Sequence, residues 1–290
     1  MRAGFCCLAV CLRRRDADGY TFSGRAAPMI STLFQYQLVT RDLNRTLENT
    51  AKEPQVKRET EYYLKNIENI KTIDDFLKDT RIFKYAMKAF GLEDMDYAKA
   101  FMKKALEEGV DSRATFANKL SDKRYAEFVT TFNFARYGDT ATSFERVKQP
   151  VVDSYVRQTL ELNSGTQNEA IRLALYFERK AASITGPFDI LADKALVEVV
   201  YTSLGMPKNF AMANIDKQAA VLKQRLNFDE FKDPAKLDTF LRRFATMWDF
   251  QNGTPATSSI ATLIMAGPGS SAAIGEGLLS QIQSLRLGGR

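Results

Sequence analysis

The chain has 290 residues, 41 lysines and arginines against 35 aspartates and glutamates, three cysteines and no histidine. Without histidine, the sequence cannot form a Ser–His–Asp triad, a Cys–His pair or a histidine-containing zinc hydrolase motif. Cys6, Cys7 and Cys11 lie within six residues, which excludes a disulfide framework for a globular fold and fits no paired zinc-binding spacing. No apolar run reaches the roughly 20 residues of a membrane span.

The first 28 residues differ from the rest of the chain. They carry five arginines and two aspartates, so they hold +3 of the net charge of +6. A short apolar run, Phe5 to Leu12, precedes three arginines, whereas a secretory signal has its positive charges before a longer apolar core. We therefore predict that residues 1–28 are a non-native start extension and disordered, with Met29 as the first natural residue, and that the chain has no signal peptide.

Helical periodicity dominates from Ser31 to Phe250, and no stretch alternates apolar and polar residues long enough to predict a strand. We predict an N-terminal helix over residues 29–52, capped by Ser31. A connecting helix is assigned to residues 137–166, with its regular part over Ser143–Leu162 and a stop at Asn163–Gly165.

Helix-end signals punctuate the region that follows the N-terminal helix. Thr72 with Asp75 resembles a capping box, and Asp79 or Thr80 is placed to cap the next helix. Gly91 is placed to end that helix in a left-handed conformation. The β-branched stretch Val197–Tyr201 lies inside a capped helical pattern and is predicted to be helical as well.

An internal repeat is the most informative feature of the sequence. Aligning the chain with itself at an offset of 114 residues matches apolar positions, a helix cap and a terminator glycine. The matched pairs are Tyr62/Tyr176, Tyr63/Phe177, Ile70/Ile184, Leu77/Leu191, Asp79/Asp193 and Gly91/Gly205, followed at an offset of 112 by Phe128/Phe240, Phe132/Phe244 and Ala135/Met247. Chance similarity between amphipathic helices is the alternative, because such helices share a period.

We therefore predict an all-α fold built from two tandem copies of a similar multi-helix unit, residues 53–136 and 167–250. From residue 251 to residue 290 the composition shifts to Gly, Ser and Ala, which predicts a flexible tail. Within this tail, Ile274–Leu287 carries an apolar stripe at helical spacing that is able to dock on a partner.

Sequence patterns that suggest ligand binding fail on inspection. The glycine-rich run at Gly267–Gly277 lacks the Gly-Lys-Ser/Thr ending of a phosphate loop and follows no strand. Glu93, Asp94 and Asp96 lack the spacing of a calcium loop and fit the start of a helix instead. We predict no cofactor and no metal.

Paired charges and the single tryptophan also have structural explanations. Asp74–Asp75 and Glu107–Glu108 are expected at solvated helix ends rather than in a catalytic cleft. The basic pairs Lys57–Arg58, Lys103–Lys104 and Arg242–Arg243 are not interleaved with aromatic residues, so no nucleic acid is expected. Trp248 follows Phe244 by one turn, which predicts core packing. No residue is predicted to be catalytic.

Three segments carry a resemblance to a known family: MISTLFQYQLVTRDLNRTLENTAKEPQVKRETEYYLKNI, IKTIDDFLKDTRIFKYAMKAFGL and FLRRFATMWDFQN. With these segments, Met29 to Asn252 resembles an alphaproteobacterial domain-of-unknown-function family, number twelve-seventeen in its series. Members of that family tend to be encoded among flagellar genes. The resemblance implies a flagellum-associated protein and transfers no catalytic residue.

Two functions follow as expectations. The first is a non-enzymatic flagellar accessory or assembly protein, cytoplasmic or flagellum-associated, that works through contacts with other proteins and has no membrane span. The alternative is a carboxylate-based hydrolase, for example one acting on peptidoglycan, with a site between the two helical units. A buried acid with a perturbed pKa in a cleft between the units would favour the hydrolase.

Overall fold

The structure is a computed structural model that describes residues 31–252. Every regular element in this range is a helix, which confirms the predicted all-α class. The predictions for residues 1–28 and for the tail beyond Asn252 lie outside the described residues. The α-helices are α1 (Thr32–Thr40), α2 (Leu43–Lys52), α3 (Pro54–Asn66), α4 (Ile73–Lys78), α5 (Thr80–Ala89), α6 (Lys99–Glu108), α7 (Phe116–Lys119), α8 (Lys123–Phe132), α9 (Phe134–Tyr137), α10 (Gln149–Gln167), α11 (Glu169–Lys180), α12 (Pro187–Leu191), α13 (Lys194–Ser203), α14 (Ile215–Arg225) and α15 (Pro234–Asn252).

The single N-terminal helix predicted over residues 29–52 is wrong, because the structure divides it into α1 and α2. Ser31 caps α1 as predicted, accepting a hydrogen bond from the amide of Phe34 at 3.3 Å. Asp42 then starts a new helix, since its carboxylate accepts from the amide of Arg45 at 3.1 Å and its φ is −142°. An aspartate that binds the backbone amides ahead of it favours a helix start over continuation of the preceding helix.

The predicted caps of α4 and α5 are confirmed. The amide of Asp75 donates to Thr72 Oγ1 at 3.0 Å, and the amide of Thr72 donates back to the Asp75 carboxylate at 3.3 Å. Asp79 accepts from two amides in the first turn of α5. Gly91 has a φ of 69° and ends the helix in the left-handed region, as its position predicts.

The connecting helix predicted over residues 137–166 is wrong at both ends. Residues 138–147 form short 3-10 turns, and α10 begins at Gln149 with Pro150 in its first turn. The helix then continues through Gly165 to Gln167. A Cβ added at Gly165 would lie 2.9 Å from the Cδ of Arg172 on α11. The glycine therefore allows α10 and α11 to pack closely and does not end the helix.

Two clusters of buried side chains form two cores that share α10. The first core includes Val151 and Tyr155 from the N-terminal part of α10, together with α3 to α9. The second core includes Leu160 from the C-terminal part of α10, together with α11 to α15. Tyr36 of α1 is buried in the second core, because α1 packs against α15 and α11. The first helix of the described chain thus completes the second core, to which the last helix, α15, also belongs.

The same local structure recurs at the offset of the sequence repeat. Helix α13 begins and ends 114 residues after α5, and the glycines that follow the two helices have φ values of 69° and 63°. The Tyr62 hydroxyl donates to Asp79 at 3.0 Å, and the Tyr176 hydroxyl donates to Asp193 at 2.5 Å. In both places, a tyrosine hydroxyl donates to the aspartate that caps a later helix: from α3 to the cap of α5, and from α11 to the cap of α13. The duplication of the whole unit stays a prediction.

Candidate functional site

A buried carboxylate lies where the two cores meet. Glu161 on α10 is only 1% exposed. It binds the guanidinium of Arg157 at 3.2 Å and that of Arg179 on α11 at 2.9 Å. Arg157 also binds Glu178 at 2.9 Å. The network therefore contains two negative and two positive groups, so its charges cancel. A charged group is buried at an acceptable cost only when it is paired in this way.

Further ion pairs join α8 of the first unit to the second unit. Lys123 binds Asp189 on α12 at 2.9 Å, and Lys180 on α11 binds Glu127 at 2.8 Å. Burial alone would raise the pKa of Asp189, but hydrogen bonds from Thr185 and Lys123 lower it to about 2. An open groove of about 570 Å³ runs beside these pairs. It is lined by Ala117, Asn118, Leu120, Lys123, Ala126, Glu127, Thr130 and Thr131.

The general acid of a glycosidase needs a raised pKa. Glu161 is bound by two guanidiniums, and the pKa of Asp189 is lowered. Burial would raise the pKa of Asp122 too, but hydrogen bonds from Arg124 lower it. Burial does raise the pKa of Glu93, which lies in the 3-10 turn after α5, and the positive charges of Lys88 and of Arg172 on α11 act against that rise. Hydrogen bonds therefore favour the charged form of Asp189 and Asp122.

The structure places the other sequence-derived candidates in structural positions. Asp74 and Asp75 lie in the first turn of α4, and Glu107 and Glu108 end α6, as predicted. Trp248 packs on Phe244 with ring centroids 5.7 Å apart, which confirms a core role. Among residues 31–252, no cluster of three or more acidic, cysteine or histidine side chains could hold a metal ion. No helix in this range combines the length and the apolar character needed to cross a membrane.

The second unit exposes large apolar side chains on neighbouring elements. Phe188 on α12 is 58% exposed, Met212 just before α14 is 90% exposed, and Ile215 at the start of α14 is 53% exposed. Helices α12 and α14 pack against each other. We call these three residues the α12–α14 surface. Sequence reasoning missed it, although one signal was available: the repeat aligns Phe188 with the charged residue Asp74, so an apolar residue stands where the other copy has an acid.

A second exposed apolar feature lies on α1. Phe34 is 56% exposed and Leu38 is 67% exposed, one helical turn apart. We call these two residues the α1 stripe. Tyr36, between them in sequence, points the other way into the second core. The stripe and the α12–α14 surface are thus two separate apolar areas at the surface of the described chain.

Comparisons with known proteins give a family and one solved structure. A family model described as "Protein of unknown function (DUF1217)" matches residues 89–237. An X-ray crystal structure of a protein from Agrobacterium tumefaciens, a structural genomics target, is similar with 46% sequence identity and a TM-score of 0.71. The similarity covers 78% of this chain and 99% of that one. No curated protein matches the chain.

Proposed function

The chain belongs to the DUF1217 family of proteins of unknown function, and from that premise we propose that it is a non-enzymatic accessory or assembly protein of the bacterial flagellum. It works through contacts with other proteins, in the cytoplasm or at the flagellum. The flagellar part of the proposal is supported by the family resemblance of residues 29–252, whose members tend to be encoded among flagellar genes. The contact mechanism is supported by the surface of the second unit.

The α12–α14 surface is the observation that carries the contact mechanism. Single exposed apolar residues are common on proteins, but several large ones on adjoining elements mark an interaction site. Methionine adapts its shape to a partner, and Met212 is almost fully exposed. A partner that buries Met212, Phe188 and Ile215 would gain about 1.5–3 kcal/mol for each side chain taken fully out of water.

Gene deletion with complementation tests the proposal. Deletion should abolish or reduce swimming in soft agar while leaving the growth rate unchanged. Wild-type protein should restore swimming, and a Met212→Ser/Ile215→Ser variant at equal cellular abundance should not. Tyr97→Ser is the matched control, since Tyr97 is exposed on the first unit. Normal swimming of the deletion strain would refute the flagellar role, and full rescue by the double variant would refute the role of this surface.

Localisation of a tagged copy provides a second readout. The protein should concentrate at flagellar bases or filaments in cells that carry flagella. It should become diffuse in cells that lack flagella. Uniform distribution in both strains would argue against association with the assembled flagellum.

A further inference from the structure

Helix α1 lacks the polar outer face of an ordinary surface helix. Its sequence, TLFQYQLVT, contains no charged residue. One side buries Tyr36 in the second core, and the opposite side presents Phe34 and Leu38 to water. The buried face and the opposite face of α1 thus both carry large apolar side chains, and an apolar helix face is normally covered. The α1 stripe is therefore a face that lacks its partner.

Opposite charges stand at the two ends of the α1 stripe. Arg41 follows Phe34 by seven residues, which at about 100° per residue returns it to the same face. At the other end, the Asp249 carboxylate accepts the amide hydrogen of Thr32 at 2.9 Å. Arg41 is exposed, and neither it nor Asp249 forms an ion pair within the part of the chain that the structure describes. The stripe thus lies between the positive charge of Arg41 at its C-terminal end and the carboxylate of Asp249, bound to the Thr32 amide, at its N-terminal end.

We propose that the α1 stripe binds the α1 stripe of a second copy of this chain, antiparallel across a twofold axis. In such an isologous contact, each residue meets its counterpart in reverse order. Phe34 and Leu38 of the two copies cover one another near the axis. Arg41 of each copy then lies beside Asp249 of the other copy. A parallel arrangement would instead bring Arg41 against Arg41, which is repulsive.

The extent of the contact sets its strength. Helix α1 is only ~13 Å long, so the stripe alone falls short of the ~800 Å² per partner of a standard interface. The expected dimer is therefore weak and depends on protein concentration.

Sedimentation velocity of the purified full-length chain over a concentration series tests this dimer. Wild type should change from monomer to dimer as its concentration rises, with a dissociation constant on the order of 100 µM or lower. Leu38→Asp should raise the dissociation constant by about tenfold or more, because it places a charge in the centre of the contact. Tyr97→Asp, at an exposed position of the first unit outside the stripe, should leave the dissociation constant unchanged. A wild type that stays monomeric, or dimers that Leu38→Asp leaves intact, would overturn the proposal.

Charge reversal tests the antiparallel arrangement. Arg41→Glu alone brings a second carboxylate beside Asp249, and Asp249→Lys alone brings an ammonium group beside Arg41, so each variant should dimerise less than wild type. An equimolar mixture of the two should dimerise again, because the two introduced charges attract each other at one contact and Arg41 still meets Asp249 at the other. Asp249→Lys removes the hydrogen bond to Thr32, so circular dichroism must show that this variant keeps its helix content. If it loses helix, Asp249→Asn takes its place as the variant expected to dimerise less. Folded variants that fail to associate in the mixture would overturn the arrangement.

Photo-crosslinking from position 38 separates the possible occupants of the stripe. A crosslink to α1 of a second copy supports the dimer. A crosslink to residues 253–290 of the same chain, or in cells to a different protein, overturns it. The test uses α1 and purified protein, whereas the flagellar role is tested by motility and the α12–α14 surface. Failure of one therefore leaves the other standing.

Discussion

Glu161 is the buried acid on which two guanidiniums depend. It is almost fully buried and binds both Arg157 and Arg179. Glu161→Gln would keep the shape of the side chain but remove the carboxylate that both partly buried guanidiniums bind, while Arg157 would keep its bond to Glu178. Removing one partner of a buried ion pair costs ~3–5 kcal/mol. We therefore expect the free energy of unfolding, measured by urea denaturation, to fall by ~3 kcal/mol.

Glu178→Gln is the matched control for this substitution. Glu178 binds Arg157 from a more exposed position, where ion pairs contribute ~0–1 kcal/mol. The control should therefore change the unfolding free energy by less than ~1 kcal/mol. Equal effects of the two substitutions would contradict the assignment of Glu161 as the centre of the network.

Asp189 makes the junction between the units sensitive to acid. Burial opposes its ionisation, but hydrogen bonds from Thr185 and Lys123 lower its pKa from 3.8 to about 2. Because the folded-state pKa lies below the unfolded value, this stabilisation is fully present above about pH 4 and is lost as the pH falls toward 2. Asp189→Asn should therefore lower the unfolding free energy at pH 6 and make less difference at pH 2. A difference that stays constant across this range would contradict the prediction.

At the scale of the secondary-structure elements, two glycines with the same backbone geometry predict different costs of substitution. Gly109, which ends α6, has a φ of 69°, and Gly138, after α9, has a φ of 54°. An added Cβ at Gly109 would lie 2.8 Å from the Cβ of Ala135, an atom that no rotamer can move. At Gly138, nothing lies within 4 Å. Gly138→Ala should cost ~1–3 kcal/mol for the positive-φ backbone alone, and Gly109→Ala ~1–3 kcal/mol more for the collision.

Thermal unfolding followed by circular dichroism measures this comparison, with each variant compared with wild type. The difference between the two effects is the informative quantity, since the backbone cost is shared and cancels. If Gly138→Ala were as destabilising as Gly109→Ala, backbone strain would account for both, and the contact with Ala135 would carry no weight.

The elements that could be predicted from sequence are those decided by neighbouring residues. The capping box at Thr72 and the left-handed end at Gly91 depend on backbone groups within one turn, so their residue types suffice. The break at Asp42 and the passage of α10 through Gly165 were predicted wrongly. At Gly165 the deciding contact is with Arg172 on another helix. A residue pattern on one helix does not reveal how closely a second helix approaches.

At the scale of the whole molecule, the helical class and the two groups of helices followed from periodicity and from the repeat. The position of α1 did not follow from them, because nothing local in residues 32–40 indicates that Tyr36 is buried among side chains more than 120 residues later. The same reason hid the ion network around Glu161, whose partners lie on two helices. Of the surfaces, only Phe188 left a signal, as an apolar residue aligned with Asp74.

Helix α10 predicts that the two cores unfold together. It contributes Tyr155 to the first core and Leu160 to the second. If one core unfolds, α10 loses packing on that side, and the remaining core loses the support of this helix. Phe132→Ala should test this, since Phe132 is fully buried in the first core and its loss should cost ~3–5 kcal/mol. Trp248 is the only tryptophan and packs on the second core, so its fluorescence reports that core alone.

In urea, the Phe132→Ala variant should lower the midpoint seen by Trp248 fluorescence and the midpoint seen by circular dichroism by the same amount. Coincident transitions from a local and a global probe are the signature of one cooperative unit. Tyr97→Ala, at an exposed position of the first unit, should leave both midpoints unchanged. Were the cores independent, circular dichroism would show two steps, and the Trp248 transition would stay at its wild-type midpoint. Coincidence would mean that α10 and the charges around Glu161 couple the two units into a single folding domain.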